Sequence, residues 1–364
     1  MIILRLLMNN IFLISLILTF GLTFFLTPFV IKYALNRGMY DKPDERKIHD
    51  EIVPRIGGVV FLAASLLSIL ASGIVIYTND LTVEQIELHS VALQLCAVCV
   101  IFGVGLVDDI KGLRYRLKFI AQFVAGVLLC ASSVYLKDFH GMLGLHEIHP
   151  VIGWCITIFA VIYCTNAINF IDGVDGQASA IAVVAMGYYA WILHSCAPLY
   201  AIVCLCVAGG LLAFMRYNIF GKAAAGNKTF MGDTGSLFLG LVMTFMGVLV
   251  CNTCAAPLTD DSCFVMAFAP LFLPCLDVVR VVMHRVRTGS SPFAADKNHI
   301  HHKLLAIGLS QHKVSFTVSV LNIIVIALSC VLAQYVNANI VIAILLIVWT
   351  MLNVVLTKLM KKNK

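Results

Sequence analysis

Stretches of 17 to 22 apolar residues recur along the whole chain, and nothing constrains its fold more. Each is close to what a helix needs to cross about 30 Å of hydrocarbon. Eleven can be counted, at roughly 10–31, 56–77, 91–107, 118–136, 151–168, 178–195, 198–215, 235–254, 263–283, 314–334 and 338–357. Only 12% of the residues are charged, against about 25% in an ordinary soluble domain. The first run has Arg5 as a charged flank, as a signal peptide would. Its apolar part is too long and no small-residue cleavage site is clear, so it reads as a helix. The expected fold is an all-α integral membrane protein, a polytopic bundle of about 11 transmembrane helices forming one domain over 1–364.

The basic residues orient this bundle. If the 32–55 loop is cytoplasmic, so are 108–118, 216–234, 280–313 and the C-terminal tail, which together hold 23 of the 25 Lys and Arg. Arg5 and Lys137 remain outside, where the loops carry Asp80, Glu84, Glu87, Asp138, Glu147, Asp260 and Asp261. The positive-inside rule then puts the N-terminus out and the C-terminus in. The net charge of +6 therefore describes one face, suited to anionic headgroups and phosphorylated substrates.

On that face lies Asn166-Ala167-Ile168-Asn169-Phe170-Ile171-Asp172-Gly173-Val174-Asp175-Gly176. Asn166, Asn169 and Asp172 share one side while the helix lasts. Gly173 and Gly176 then permit a turn that brings Asp175 into the same space. Converging oxygen donors at a membrane-helix end suit a hard cation such as Mg2+. The run 91–107 ends in Asp108-Asp109, two carboxylates that belong at an interface or in a wet cleft, since each would cost about 3 kcal/mol at mid-bilayer. Lys118, one turn into the next helix, can reach back to an acid or a lipid phosphate.

Further along, Lys228-Thr229-Phe230-Met231-Gly232-Asp233-Thr234-Gly235-Ser236 places Asp233 at a helix start, as a cap or beside an anion cradle where it can hold a metal that bridges to the bound phosphate. Phe230 is placed to stack on a flat base. Arg46, Lys47, His49 and Arg55 in the first loop can meet phosphate oxygens or serve only as positive-inside residues. Asp277 and Arg280 read as a structural ion pair. Arg285, Arg287 and the cluster His299, His301, His302 lack the usual zinc partners and read as donors to an anionic, hydroxylated ligand, with His299 and His302 on one face at helical spacing. All these clusters fall on one side, which predicts a cytoplasmic-face active-site cleft. The runs after residue 313 carry almost no polar side chains and read as scaffold.

Thirteen cysteines lie mostly within apolar runs, where the thiol behaves as a small hydrophobe. Cys251 and Cys254 form a CxxC near Cys263 with no second pair, so packing and a structural disulfide both stay open. His140, His146 and His149 are irregularly spaced beside Glu147 and receive no assignment.

The segments DKPDERKIHDEIVPRIGG, GLVDDIKGLRYRLK, NAINFIDGVDG, FMGDTGS and SPFAADKNHIHH, in this order over about 41–303, resemble the polyprenyl-phosphate N-acetylhexosamine-1-phosphate transferases, the WecA/TagO-like branch beside MraY. The resemblance implies transfer of a sugar 1-phosphate, GlcNAc-1-phosphate from UDP-GlcNAc, to undecaprenyl phosphate, releasing UMP and starting a cell-envelope glycan. It implies Mg2+, or Mn2+ in its place, on Asn169 and Asp233. Asp108 and Asp109 become the acidic pair near the reacting phosphates. Asn166, Asp172, Asp175 and Phe230 fall to substrate binding, the last three as a uridine pocket. His299, His301 and His302 with Arg285 or Arg287 become the sugar and phosphate clamp, and Arg46, His49 and Lys118 further substrate contacts. The implied setting is a bacterial inner membrane, with a UDP-sugar, the lipid and a homodimer as partners and no nucleic acid. A MraY-type muramoyl-pentapeptide transferase and a cation-coupled transporter are the rivals. A transporter would carry acids near the midplane in repeated halves, and here only Asp277 lies well inside a run.

Overall fold

The computed structural model describes residues 2–41, 52–78, 87–253, 258–291 and 298–362. Its helices are α1 (Ile2–Asn36), α2 (Gly57–Thr78), α3 (Leu88–Lys111), α4 (Tyr115–Ala131), α5 (Pro150–Ile171), α6 (Gln177–Leu193), α7 (Pro198–Asn218), α8 (Gly232–Thr253), α9 (Asp260–Arg287), α10 (Ile300–Ala306), α11 (Gln311–Leu332) and α12 (Ala338–Lys362). Every expected apolar run is a helix, and α10 is additional. Among the described residues nine helices are long and apolar enough to cross a membrane. The other two counterparts, α4 and α6, have 17 residues each, about 26 Å at 1.5 Å per residue. Their ends reach less far than the 118–136 and 178–195 runs suggested. The described strands are a two-residue ribbon, β1 (Tyr40–Asp41) against β2 (Val53–Pro54), antiparallel with Tyr40 opposite Pro54.

The bundle is built around α8. It packs on α2, α3, α5, α6 and α9 and is buried along nearly its whole length. A membrane offers no hydrophobic drive between helices, so close approach of small residues has to hold them. At Gly58 a β-carbon would run into the backbone of Gly235, and at Gly105 into that of Thr234. These contacts seat the starts of α2 and α8 and the end of α3 against one another. Helices α1 and α7 pack together on one flank, while α11 and α12 pack on α9. The C-terminal ends of α3, α5, α7 and α9 and the N-terminal ends of α2, α4, α6 and α8 therefore gather at one end of the bundle.

Candidate active site

Asp108 and Asp109 lie in the last turn of α3, and consecutive helical residues point about 100° apart, so they have different partners. Asp108 Oδ1 accepts the Leu113 backbone N–H at 2.6 Å, while Oδ2 lies 3.3 Å from Lys118 Nζ. The same ammonium is 2.8 Å from Asp233 Oδ2. Lys118 thus joins the ends of α3 and α8 from the first turn of α4.

Asp109 turns the other way. Its Oδ1 accepts the Asp233 N–H at 2.7 Å, and its Oδ2 accepts the Thr234 N–H at 2.9 Å and the Thr234 hydroxyl at 2.6 Å. The first N–H groups of a helix have no partner inside it, and here a carboxylate from another helix caps them. This corrects two expectations. Asp233 stands in the first turn of α8 instead of capping it, and the cradle expected for a phosphate holds Asp109. A β-carbon on Gly232, at φ +71°, would collide with that carboxylate.

From α5, Asn169 donates to Ser236 Oγ at 2.8 Å, and its amide also reaches Asp233. Asn166, expected beside it, donates to Gln122 of α4 at 2.7 Å and to the Ile162 carbonyl at 2.7 Å, so it ties helices together. Asp172 ends α5 and is half-buried. Burial, with the charges of Asp233, Asp175 and Asp109 nearby, pushes its carboxyl well above the usual range. The turn continues to Gly176, at φ +76°, whose N–H donates to Asn218 Oδ1 at 2.6 Å. Asn218 donates in turn to the Thr229 carbonyl, binding this turn to the 228–231 segment.

That segment is itself held at the start of α2. The Phe230 N–H donates to Pro54 O at 2.8 Å, and the Gly57 and Gly58 N–H groups donate to the Phe230 and Met231 carbonyls. Asp175 is buried, and its Oδ2 is 2.7 Å from Lys228 Nζ. The same ammonium lies 5.8 Å from the centre of the half-buried Phe230 ring. Asp175, Lys228 and Phe230 form one acid–cation–aromatic unit, in which the lysine is a residue that the sequence reading passed over.

The histidines come from the other flank. Asp277, buried in α9, accepts from Arg280 at 2.8 Å, lies 2.8 Å from His299 Nδ1, and receives the Ile300 N–H at 3.2 Å on Oδ1. The expected ion pair is present, but the carboxylate also orients His299 and caps α10. Because His299 is the N-cap, helical spacing does not apply to it. Its ring lies parallel to that of His301 at 5.7 Å, a pairing that helical spacing did not suggest. His301 in turn contacts His302 at 4.2 Å and closes on Gly173, where a β-carbon would strike the imidazole. Burial, with His302 and His299 alongside, holds His301 down to about 3. Lys303 is buried as well and donates to Asn353 Oδ1 at 3.1 Å and Thr357 Oγ1 at 3.0 Å. Helix α12 is therefore no inert scaffold, since it anchors the histidine helix. Arg285 points inward and Arg287 is exposed, as their 200° separation on α9 requires. Arg46 and His49 lie outside the described residues.

Among the described residues, Asp108 and Asp233 meet the Lys118 ammonium and Asp175 meets that of Lys228, with Asp109 and Asp172 close to Asp233. A half-buried set of hard oxygen donors fits Mg2+ chemically.

The "Glycosyl transferase family 4" profile matches residues 91–251, from α3 to the last turn of α8. The chain is 32% identical over 297 residues to a probable undecaprenyl-phosphate N-acetylglucosaminyl 1-phosphate transferase of Bacillus subtilis, covering 80% of this chain and 76% of that protein. It is 31% identical to a decaprenyl-phosphate N-acetylglucosaminephosphotransferase of Mycobacterium tuberculosis, covering 80% and 75%. An undecaprenyl-phosphate alpha-N-acetylglucosaminyl 1-phosphate transferase of Escherichia coli is 28% identical, with 84% and 80% covered. With its aspartates and DGVDG turn gathered at the end of a helical membrane bundle, and with relatives matching over most of its length, the chain belongs to glycosyl transferase family 4.

Proposed function

We propose that this protein transfers N-acetylglucosamine 1-phosphate from UDP-N-acetylglucosamine to undecaprenyl phosphate or a similar polyprenyl phosphate, releasing UMP. The observation carrying this reading is the convergence of Lys118, Asp108, Asn169 and Asp172 on Asp233 at one end of an apolar bundle. The names of the relatives support the donor sugar and the lipid acceptor. An acceptor phosphate oxygen attacks the β-phosphorus of the donor. A new P–O bond forms, the bond to the bridging oxygen breaks, and UMP leaves with that oxygen. A phosphate monoester has its second pKa near 6, on the order of one unit below neutrality, so the acceptor needs little base help.

Asp233 and Asn169 would hold Mg2+, which supplies neutralisation of the developing pyrophosphate charge. Lys118, held between Asp108 and Asp233, meets the acceptor or donor phosphate, and Asp108 positions that ammonium. Asp109 keeps the start of α8 seated on α3 and with it the backbone that carries Asp233. The Asp175–Lys228–Phe230 unit takes the uridine: Phe230 stacks on the base and Asp175 accepts from its N–H. His299, set by Asp277, and the inward-facing Arg285 bind the sugar and its phosphate. The charge asymmetry of the loops supports a cytoplasmic location for this end.

The test is UMP release by detergent-purified protein from a panel of UDP-sugars, with undecaprenyl phosphate and Mg2+. Release from UDP-N-acetylglucosamine that stops in Asp108→Asn and Asp233→Asn supports the proposal. Release from another UDP-sugar only would overturn the sugar assignment.

A further inference from the structure

The end of the bundle remote from the candidate active site holds a second cluster of chemistry-bearing side chains. His140 comes from the loop between α4 and α5, Cys251 from the last turn of α8 and Cys263 from the first turn of α9. One donor atom from each lies within 4.8 Å of the other two, and all three residues are buried, at 7%, 0% and 0% exposure. Eighteen residues of α8 separate Cys251 from Asp233, about 27 Å at 1.5 Å per residue. The cluster is therefore distinct from the candidate active site.

We infer that His140, Cys251 and Cys263 bind a zinc ion that fastens the α4–α5 loop to the ends of α8 and α9. Hydrogen bonding alone accounts for each group singly. Cys263 Sγ donates to the Cys251 carbonyl at 3.3 Å, Cys251 Sγ lies 3.8 Å from the Asp138 carbonyl, and His140 Nε2 is 3.0 Å from the Cys251 carbonyl. It does not account for two thiols and an imidazole meeting from three separate segments. Tetrahedral zinc with bonds of about 2.0–2.3 Å spaces its donors roughly 3.3–3.8 Å apart. Side-chain rotations of about an ångström thus suffice to close the set. Charge selects the ion. Two thiolates and a divalent cation sum to zero, which suits a buried site, whereas a monovalent soft ion such as Cu(I) would leave a net negative charge there.

The packing around the cluster is already that of a fixed site. The Phe139 ring, adjacent to His140, stacks on Phe264, adjacent to Cys263, at 5.2 Å and 15°. His140 itself adopts φ +51°, a region that costs a non-glycine residue on the order of 1 kcal/mol. Its N–H donates to Asp138 Oδ1. Cys254, three residues beyond Cys251, lies outside the described residues and takes no part in the assignment.

The experiment is metal analysis of the full-length protein, purified in detergent through a tag that binds no metal. About one zinc per chain is expected. After stripping, titration of the folded protein with Co2+ should give a thiolate-to-cobalt charge-transfer band, and Zn2+ should abolish it and raise the thermal midpoint. Cys251→Ser, Cys263→Ser and His140→Ala should each weaken Co2+ binding at least tenfold. The wild-type titration does not depend on those variants folding. Folded protein with no zinc and no cobalt band would overturn the inference. So would a Cys251–Cys263 disulfide found by mass spectrometry of unreduced protein. Neither result touches the proposed transferase reaction, since neither reads activity.

Discussion

Replacing Asp109 separates its role from that of its neighbour. Its carboxylate accepts three hydrogen bonds from the start of α8. A hydrogen bond to a charged group contributes about 1.5–3 kcal/mol, and losing a helix cap alone costs about 0.5–2 kcal/mol. Asp109→Ala strands two N–H groups and a hydroxyl, so non-additive losses should total about 3–5 kcal/mol. Asp109→Asn keeps one acceptor oxygen and should lose about half as much. Thr234→Val removes only the hydroxyl bond and should cost about 1 kcal/mol. Asp108→Asn keeps an acceptor for the Leu113 N–H and breaks only a partly exposed ion pair, so its stability should change by under about 1 kcal/mol. Unfolding in detergent micelles, followed by tryptophan fluorescence, gives the stabilities, and UMP release gives turnover. The expected order of stability loss is Asp109→Ala, Asp109→Asn, Thr234→Val, with Asp108→Asn stable but inactive. An Asp109→Asn protein as stable as wild type, yet as inactive as Asp108→Asn, would refute the capping role.

His301 makes the fold acid-sensitive. Its pKa falls from 6.5 to about 3 on folding, so below pH 6.5 the unfolded chain binds the proton more readily and stability falls as pH falls. The loss should be about 2 kcal/mol between pH 6.5 and 5 at 1.36 kcal/mol per unit, and His301→Asn should flatten that part of the stability–pH curve. Lys303 titrates in the opposite range: burial, with Arg280 nearby, lowers it from 10.5 to about 8. Its charged form is penalised, so stability should rise as pH climbs from about 8 towards 10.5, and Lys303→Met should abolish the rise. Gly173→Ala pushes a β-carbon into His301 and should lower turnover at least tenfold while UDP-sugar binding, measured by calorimetry, persists. Lys228→Met removes the ammonium that lies 2.7 Å from Asp175. It should raise the KM for the UDP-sugar more than it lowers kcat, and equal effects on both would contradict the uridine assignment.

What the sequence made legible was the part that repeats or clusters locally. Apolar length identified every long helix, because a bilayer leaves an apolar run no alternative to satisfying its own backbone. The DGVDG turn was readable because glycines and carboxylates alternate there. Partners across helices were not. Nothing local distinguishes Asp108 from Asp109, and only the approach of Thr234 over Gly105 assigns one to Lys118 and the other to α8. Asn166 looked like a ligand by its spacing from Asn169, but Gln122 sits opposite it on α4. Lys228 and Lys303 were hidden among positive-inside residues, where a lysine that fixes topology and one that reaches a buried partner look alike. Asp277 did carry a signal, as an acid well inside an apolar run, and its ion pair with Arg280 accounts for only part of its bonding. The cluster of His140, Cys251 and Cys263 spans more than a hundred residues of sequence, so no motif spacing could announce it.

The most direct test of the central claim follows the β-phosphorus. UDP-N-acetylglucosamine labelled with 32P at the β-phosphate is incubated with the purified protein, undecaprenyl phosphate and Mg2+, and the lipid and nucleotide fractions are separated. The account predicts that the label enters the lipid fraction while unlabelled UMP appears in equal amount. Label that stays in the nucleotide pool as UDP, while sugar alone reaches the lipid, would contradict transfer of a sugar 1-phosphate.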